Sequence, residues 1–170
     1  MGNHGKLVIR QVNNPYDTEE ALKNVLRYIV RQKEGREKEE VRYWRAFGAS
    51  GKNIEKVIKQ FIKIQKRAGK ASRKRIRHFF ISFPGYVDDV NVVKIIAEAV
   101  AAFVFEKYQV VYAVHEKKGN LHIHFAVNPV SYVDYYKWHM SSVEFREWKE
   151  KVTEIVKKCL AENGYRNIEL

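Results

Sequence analysis

The chain has 170 residues, 45% of them hydrophobic and 13% aromatic, enough apolar material for one packed domain and too little length for two comfortable ones. Thirty-two Lys and Arg against twenty Asp and Glu leave a formal charge of +12, which points to a polyanionic partner, with nucleic acid ahead of an anionic membrane surface. The single cysteine, Cys159, excludes an internal disulfide framework and a cysteine-based zinc knuckle, and Asn91, Lys94 and Glu98 interrupt the longest apolar stretch, Val90 to Phe105, so metal chemistry must use histidine or carboxylate and no membrane insertion is expected.

Lys6 to Val12 reads as a short strand stopped by the turn residues Asn13-Asn14-Pro15. Asp17 or Thr18 caps the helix that follows. Glu19 and Glu20 suit the positive end of its dipole, and Ala21, Leu22, Val25, Leu26, Ile29 and Val30 recur at helical spacing, with Tyr28 and Arg31 off that stripe. Arg31 to Glu40 is charged, carries one glycine and has no hydrophobic rhythm, so it reads as a loop. Val41 to Phe47 is strand-like. A helix from about Asn53 to Ala68 places Ile54, Val57, Ile58, Phe61, Ile62 and Gln65 on its inner side and lysines on its outer side.

Gly69 to Lys74 is a basic loop, and Ile76 to Phe83 is a central strand ending at Pro84-Gly85. Asp88 or Asp89 caps a long amphipathic helix to about Lys107. Gln109 to His115 and Leu121 to Val127 are β-rich runs joined by a five-residue connector containing Gly119-Asn120, the pattern of an antiparallel hairpin. An aromatic loop, Tyr132 to His139, precedes a last helix from about Ser142 to Asn163, which Gly164 stops. This order predicts one α+β domain over residues 1–170: an antiparallel sheet of about five strands with helices packed mainly on one face, a two-layer sandwich.

His122 and His124 are two apart in a strand, so both leave one face while Ile123 and Phe125 enter the core. Across the hairpin, a paired register brings His115 to roughly 5 Å from one of them at Cβ. Three imidazoles converging on one ion leave positions open for substrate or water, the pattern of a catalytic rather than a structural site. Imidazole ligation taken alone favours zinc or another late transition metal. His78, which alternates with Phe79, is placed to face the same site, where it binds phosphate, transfers a proton or fixes a neighbour. A half-buried structural histidine explains the same pattern, and His139 is a weaker candidate of the same kind.

The hairpin Val111 to Val127 (VYAVHEKKGNLHIHFAV), continuing as Asn128-Pro129-Val130, resembles the metal-binding segment of relaxases, the mobilisation nucleases of plasmids and conjugative elements, which belong to the His-hydrophobe-His endonuclease superfamily. Leu26-Arg27-Tyr28-Ile29 resembles their nucleophile segment, Arg77-His78-Phe79-Phe80-Ile81-Ser82-Phe83-Pro84 resembles their central strand, and the aromatic loop with its final helix is similar in order and spacing. The resemblance implies a site-specific nickase of single-stranded DNA at an origin of transfer. In it Tyr28 attacks a phosphate, and His115, His122 and His124 hold a divalent ion, Mg²⁺ or Mn²⁺ by family likeness. The implied products are a 5′-phosphotyrosine link and a free 3′-hydroxyl, religated by reversal. Tyr16, Tyr43, Tyr132, Tyr135 and Tyr136 remain alternative nucleophiles or stacking platforms. Many relaxases carry an acidic residue between the first histidine and the pair; here only Glu116 in the connector is placed to orient a ligand.

Lys66 to Arg77 holds seven basic residues in twelve positions, next to the expected active-site strand. Arg73, Lys74, Arg75 and Arg77 from this run, with Arg31 and Lys33 after Tyr28, are the expected contacts to the DNA backbone. Two rival readings are a rolling-circle replication initiator of the same superfamily, which more often carries its tyrosine after the histidines, and a non-catalytic nucleic-acid-binding module. Accessory relaxosome proteins and a coupling protein are the partners that the resemblance implies. The lack of a signal-like start makes the cytoplasm the expected location, and the chain is readable as the nuclease part of a longer protein.

Overall fold

A computed structural model describes residues 5–31, 39–69 and 74–169. Among them the elements follow as β1 (Val8–Gln11), α1 (Glu19–Val30), β2 (Glu40–Phe47), α2 (Ile54–Ala68), β3 (Arg77–Ser82), α3 (Val90–Phe105), β4 (Val110–Lys117), β5 (Asn120–Val127) and α4 (Ser142–Glu162). The helices begin where short polar side chains can take up orphan backbone N–H groups. Thr18 Oγ1 accepts from Ala21 N at 3.0 Å, Asn53 and Asp89 accept from Glu55 N and Asn91 N, and Ser141 with Glu144 forms a capping box.

The strands form one sheet in the order β1-β3-β5-β4-β2, with every neighbouring pair antiparallel. The α+β class and the five-stranded antiparallel sheet are as the sequence predicts. The placement of the helices differs. Val110, Tyr112 and Val114, with Ile123, Phe125, Val127, Phe79 and Ile81, pack into a core with residues of α3 and α4. Val111, Ala113 and Ala126 on the opposite face pack with Leu22, Val25, Leu26 and Ile29 of α1 and Val57, Ile58 and Phe61 of α2. Two helices therefore cover each face. The reason is visible in β4, where every residue from Val110 to Val114 is buried: a strand apolar at consecutive positions needs cover on both sides.

The hairpin is tighter than the connector suggests. β4 runs through Lys117 and β5 starts at Asn120, leaving Lys118 (φ +50°) and Gly119 (φ +81°) as the two turn residues. Positive φ at both central positions matches the right-handed twist of the flanking strands. This turn sets the register that the site depends on: His115 opposite His122, and Ala113 opposite His124.

One polar network, centred on the buried Asn128 and Gln65, ties the end of β5, α2 and the basic segment together. Asn128, 0% exposed, donates from Nδ2 to Phe61 O and Gln109 Oε1 and accepts at Oδ1 from Gln65 Nε2 and Val130 N. Gln65 Oε1 in turn accepts from Arg75 Nε at 2.6 Å. Removing the amide strands several buried partners at once, each costing about 1 to 3 kcal/mol. Asn128→Ala is therefore expected to lower the thermal midpoint by roughly 5 to 15 °C in a calorimetric scan, whereas a midpoint within a degree of the wild type would show that the network carries no stability.

Candidate functional site

At the turn end of the hairpin, the face that packs α1 and α2 stops being apolar and becomes imidazole. His115 and His122 are direct cross-strand partners, and His124 follows two pairs further in, between Ala113 of β4 and Phe80 of β3. Their ring centroids lie 4.5 Å (His115 to His124), 5.1 Å (His122 to His124) and 5.4 Å (His115 to His122) apart.

A carboxylate absent from the sequence-level site completes the cluster. Glu39, 8% exposed, stands immediately before the edge strand β2, whose Val41 pairs with His115. Its Oε1 lies 2.9 Å from His115 Nδ1 and 3.8 Å from His124 Nε2, and it also contacts His122 Nε2. One ligand atom from each of the four residues falls within 4.8 Å of the others. Hydrogen bonds from His115, His122 and His124 hold the Glu39 carboxyl well below the usual carboxylate range. Burial, with His115 and His122 close by, pushes His124 down to about 4 against the opposing pull of Glu39. Burial and the neighbouring His124 and His115 push His78 down to about 3. At neutral pH both rings are neutral and carry a lone pair.

The hydrogen bonds of His115 show that this donor set fits a cation. Its Nε2 lies 2.6 Å from the Ile29 carbonyl, which can only accept, so Nε2 carries a proton. With no proton on Nδ1, that nitrogen turns a lone pair toward a carboxylate oxygen 2.9 Å away. Two lone pairs at that separation require a proton or a cation between them. One carboxylate oxygen and three imidazole nitrogens arranged this way could hold a divalent metal, with the Ile29 carbonyl as the outer partner that keeps a proton on His115 Nε2.

Helix α1 delivers two more groups through its last turn. Ile29 presents the carbonyl to His115, and Tyr28, off the buried stripe, places its hydroxyl 3.4 Å from Glu39 Oε2. The Tyr28 ring meets that of His124 edge-on, with centroids 6.1 Å apart and planes at 88°, and lies 6.4 Å from that of His115. His78 on β3 is 6% exposed. Its Nε2 is 2.8 Å from His124 Nδ1, and its Nδ1 is 3.3 Å from the Tyr16 hydroxyl. Tyr28, His78, His115, His122 and His124 thus come together in space.

Other expected residues do not join them. Arg77 precedes His78 in an alternating strand, so it leaves the opposite face: its guanidinium lies 5.2 Å over the Trp138 ring and donates to Trp138 O at 3.1 Å. Burial lowers its pKa, and it packs on the α3/α4 side of the fold, away from the cluster. Arg75 is engaged by Gln65, and Lys74 donates to Asn14 O at 3.1 Å. Arg31 is exposed just beyond α1. Lys33 and Arg73 lie outside the described residues. Glu116 pairs with Arg42, so the acidic partner of the histidines is Glu39 instead. Period-2 alternation carries the signal for Glu39: it shares a face with Val41, two residues on, in the strand that flanks β4. Tyr43 packs on Tyr112 in the other core, Tyr135 lies beneath Arg67, and His139 is exposed in a cleft with Phe103 and Trp148.

Among solved structures the chain is similar to one from "Molecular Basis of Vancomycin Resistance Transfer in Staphylococcus aureus", with a TM-score of 0.68, 17% sequence identity and coverage of 98% of both chains, a likeness that shows a shared fold. No curated protein matches the chain by sequence. Residues 28–163 match the family described as "Relaxase: MobA/VirD2-like, nuclease domain", a span that opens on Tyr28, takes in all three clustered histidines and covers most of the sequence. This chain belongs to the MobA/VirD2-like relaxase nuclease-domain family.

Proposed function

We propose that this domain nicks single-stranded DNA at an origin of transfer by metal-dependent tyrosine transesterification, with Tyr28 as the nucleophile and Glu39, His115, His122 and His124 as the metal ligands. The observation that carries the reading is the convergence of a phenol, a carboxylate and three imidazoles at the end of one sheet. A tyrosine of ordinary pKa near 10 is about 0.1% ionised at pH 7, so use of its phenolate costs roughly 4 kcal/mol before bond making begins. A bound divalent ion, Mg²⁺ or Mn²⁺ by family likeness and Zn²⁺ or another transition metal by donor chemistry, neutralises charge on the phosphate and offsets several kcal/mol of that cost.

The protein groups do the rest. The Tyr28 hydroxyl, oriented by its hydrogen bond to Glu39 Oε2, forms the new bond from its oxygen to phosphorus while the bond from phosphorus to the 3′-oxygen breaks. Overall, the phenolic proton is exchanged for one on the departing 3′-hydroxyl. The product is a 5′-phosphotyrosine adduct that keeps the phosphodiester energy, so reversal reseals the strand without ATP. Arg31, exposed beside the end of α1, contacts the backbone of the bound strand. Among the described residues no helix is long and apolar enough to cross a membrane.

Incubation with labelled origin single-stranded DNA and Mn²⁺ is expected to give an SDS-stable adduct. Tyr28→Phe abolishes it, and His122→Ala or EDTA lowers its yield at least a hundredfold, while native-gel binding survives. A shift on native gels with no adduct from the wild type would leave a nucleic-acid-binding module as the better reading.

Binding is also expected to weaken with salt, log affinity falling by about 0.7 per log unit of salt for each phosphate contacted. Arg31→Ala is expected to reduce that slope by about 0.7. Arg77→Gln lowers the thermal midpoint and leaves the slope unchanged. A slope lost with Arg77 and kept without Arg31 would reverse the assignment of backbone contacts.

A further inference from the structure

We infer that His78 and Tyr16 are positioning residues that hold His124 in the one tautomer able to ligate a cation, an inference that rests on the metal-site reading above. His124 turns Nε2 toward Glu39 and the other imidazoles, while its Nδ1 is 2.8 Å from His78 Nε2. A ligating nitrogen must offer its lone pair, so the proton of neutral His124 sits on Nδ1 and donates to His78 Nε2. His78, accepting at Nε2, carries its own proton on Nδ1 and donates it to the Tyr16 oxygen at 3.3 Å. That oxygen also accepts from Asn14 Nδ2 at 3.2 Å.

The opposite direction fits the same heavy-atom positions. With Tyr16 O–H donating to His78 and His78 Nε2–H donating to His124, the His124 proton lies on Nε2, facing Glu39, and the ring cannot ligate. A cation therefore selects one of two arrangements of a single chain of hydrogen bonds.

The outer end of the chain is built into the fold. Tyr16 sits in the left-handed region (φ +44°), an uncommon conformation for a residue with a large side chain. It is strapped there by Arg75 N, which donates to Tyr16 O, and by Lys74 Nζ, which donates to Asn14 O. At the inner end His78 is nearly inaccessible, 6% exposed, so water does not replace the acceptor it presents. His115 has the same service from the Ile29 carbonyl, which can only accept. His124 has it from a side chain that can either accept or donate, and the Tyr16 hydroxyl satisfies His78 in the direction that a bound cation selects.

Calorimetric titration of MnCl₂ into the wild type, His78→Leu, His78→Gln and Tyr16→Phe tests this, with thermal midpoints of the metal-free proteins recorded alongside. His78→Leu is expected to weaken Mn²⁺ binding about 10- to 100-fold. His78→Gln, whose amide oxygen can accept near the Nε2 position, is expected to stay within roughly threefold of the wild type, and Tyr16→Phe to lose about threefold. In the diamagnetic Zn²⁺-loaded wild type, ¹⁵N spectra are expected to show His78 protonated on Nδ1 and bare on Nε2. That readout serves even where His78→Leu fails to fold. Unaltered Mn²⁺ affinity in a folded His78→Leu protein, or a His78 proton on Nε2 in the loaded state, overturns the positioning role alone. Failure of the wild type to bind either ion overturns the metal-site reading and this inference with it.

Discussion

The register of one antiparallel hairpin governs the whole arrangement. With two residues in the turn, His115 faces His122 and the histidines share a face; a slip of one residue in either strand would send its imidazoles into the core beneath α3 and α4. Both strands are flanked by partners, β2 beside β4 and β3 beside β5, so the register is confirmed from two sides. A slip would also drive Tyr112 and Phe125, on the apolar face, toward the imidazole side. The cost of burying those rings wrongly and exposing others is what keeps the site in place.

The two-sided core explains how a phenol reaches this site. Small residues, Ala113 and Ala126, occupy the sheet positions under α1 and α2, while the large ones, Tyr112 and Phe125, lie on the other face. Helix α1 packs over the small residues with Leu22, Val25, Leu26 and Ile29 inward, and its last turn arrives over the imidazoles. A helix end exposes carbonyls that need donors, and His115 Nε2–H supplies one to Ile29. Capping the helix and fixing the ligand tautomer are thus the same hydrogen bond. Tyr28, one residue earlier, inherits its position from that anchor.

Much of this was legible in periodicity. The strands, the helices and the shared face of His115, His122 and His124 follow from period-2 and period-3.6 patterns that burial enforces, and the phenol at Tyr28 came from the resemblance of its segment. What was not legible depended on contacts between segments distant in sequence. Glu39 sits in a charged run whose local composition reads as loop, and only the pairing of Val41 with His115 brings it to the cluster. The basic run divides for a local reason: Arg77 is next to His78 in sequence, but a strand sends neighbours to opposite faces, so Arg77 lies against Trp138 while Arg75 meets Gln65. Helices on both faces were implied by the unbroken apolar stretch of β4, a signal that alternation in β5 partly hides.

Charge explains why the acidic ligand matters. Three neutral imidazoles around a divalent ion would leave a buried charge of two, held in surroundings where desolvation is costly. The Glu39 carboxylate reduces that to one, which a single phosphodiester group then balances. A site so balanced would bind a substrate phosphate without keeping a surplus charge in the interior, and would lose that balance when the strand leaves. The same carboxylate turns its second oxygen to the Tyr28 hydroxyl, so the group that would temper a cation also orients the phenol. In the proposed mechanism both tasks would fall to one side chain delivered from the edge of the sheet, and the approach of residue 39 to the hairpin would couple metal binding to placement of the nucleophile. Such a coupling would account for a buried glutamate at the end of a run of charged sequence.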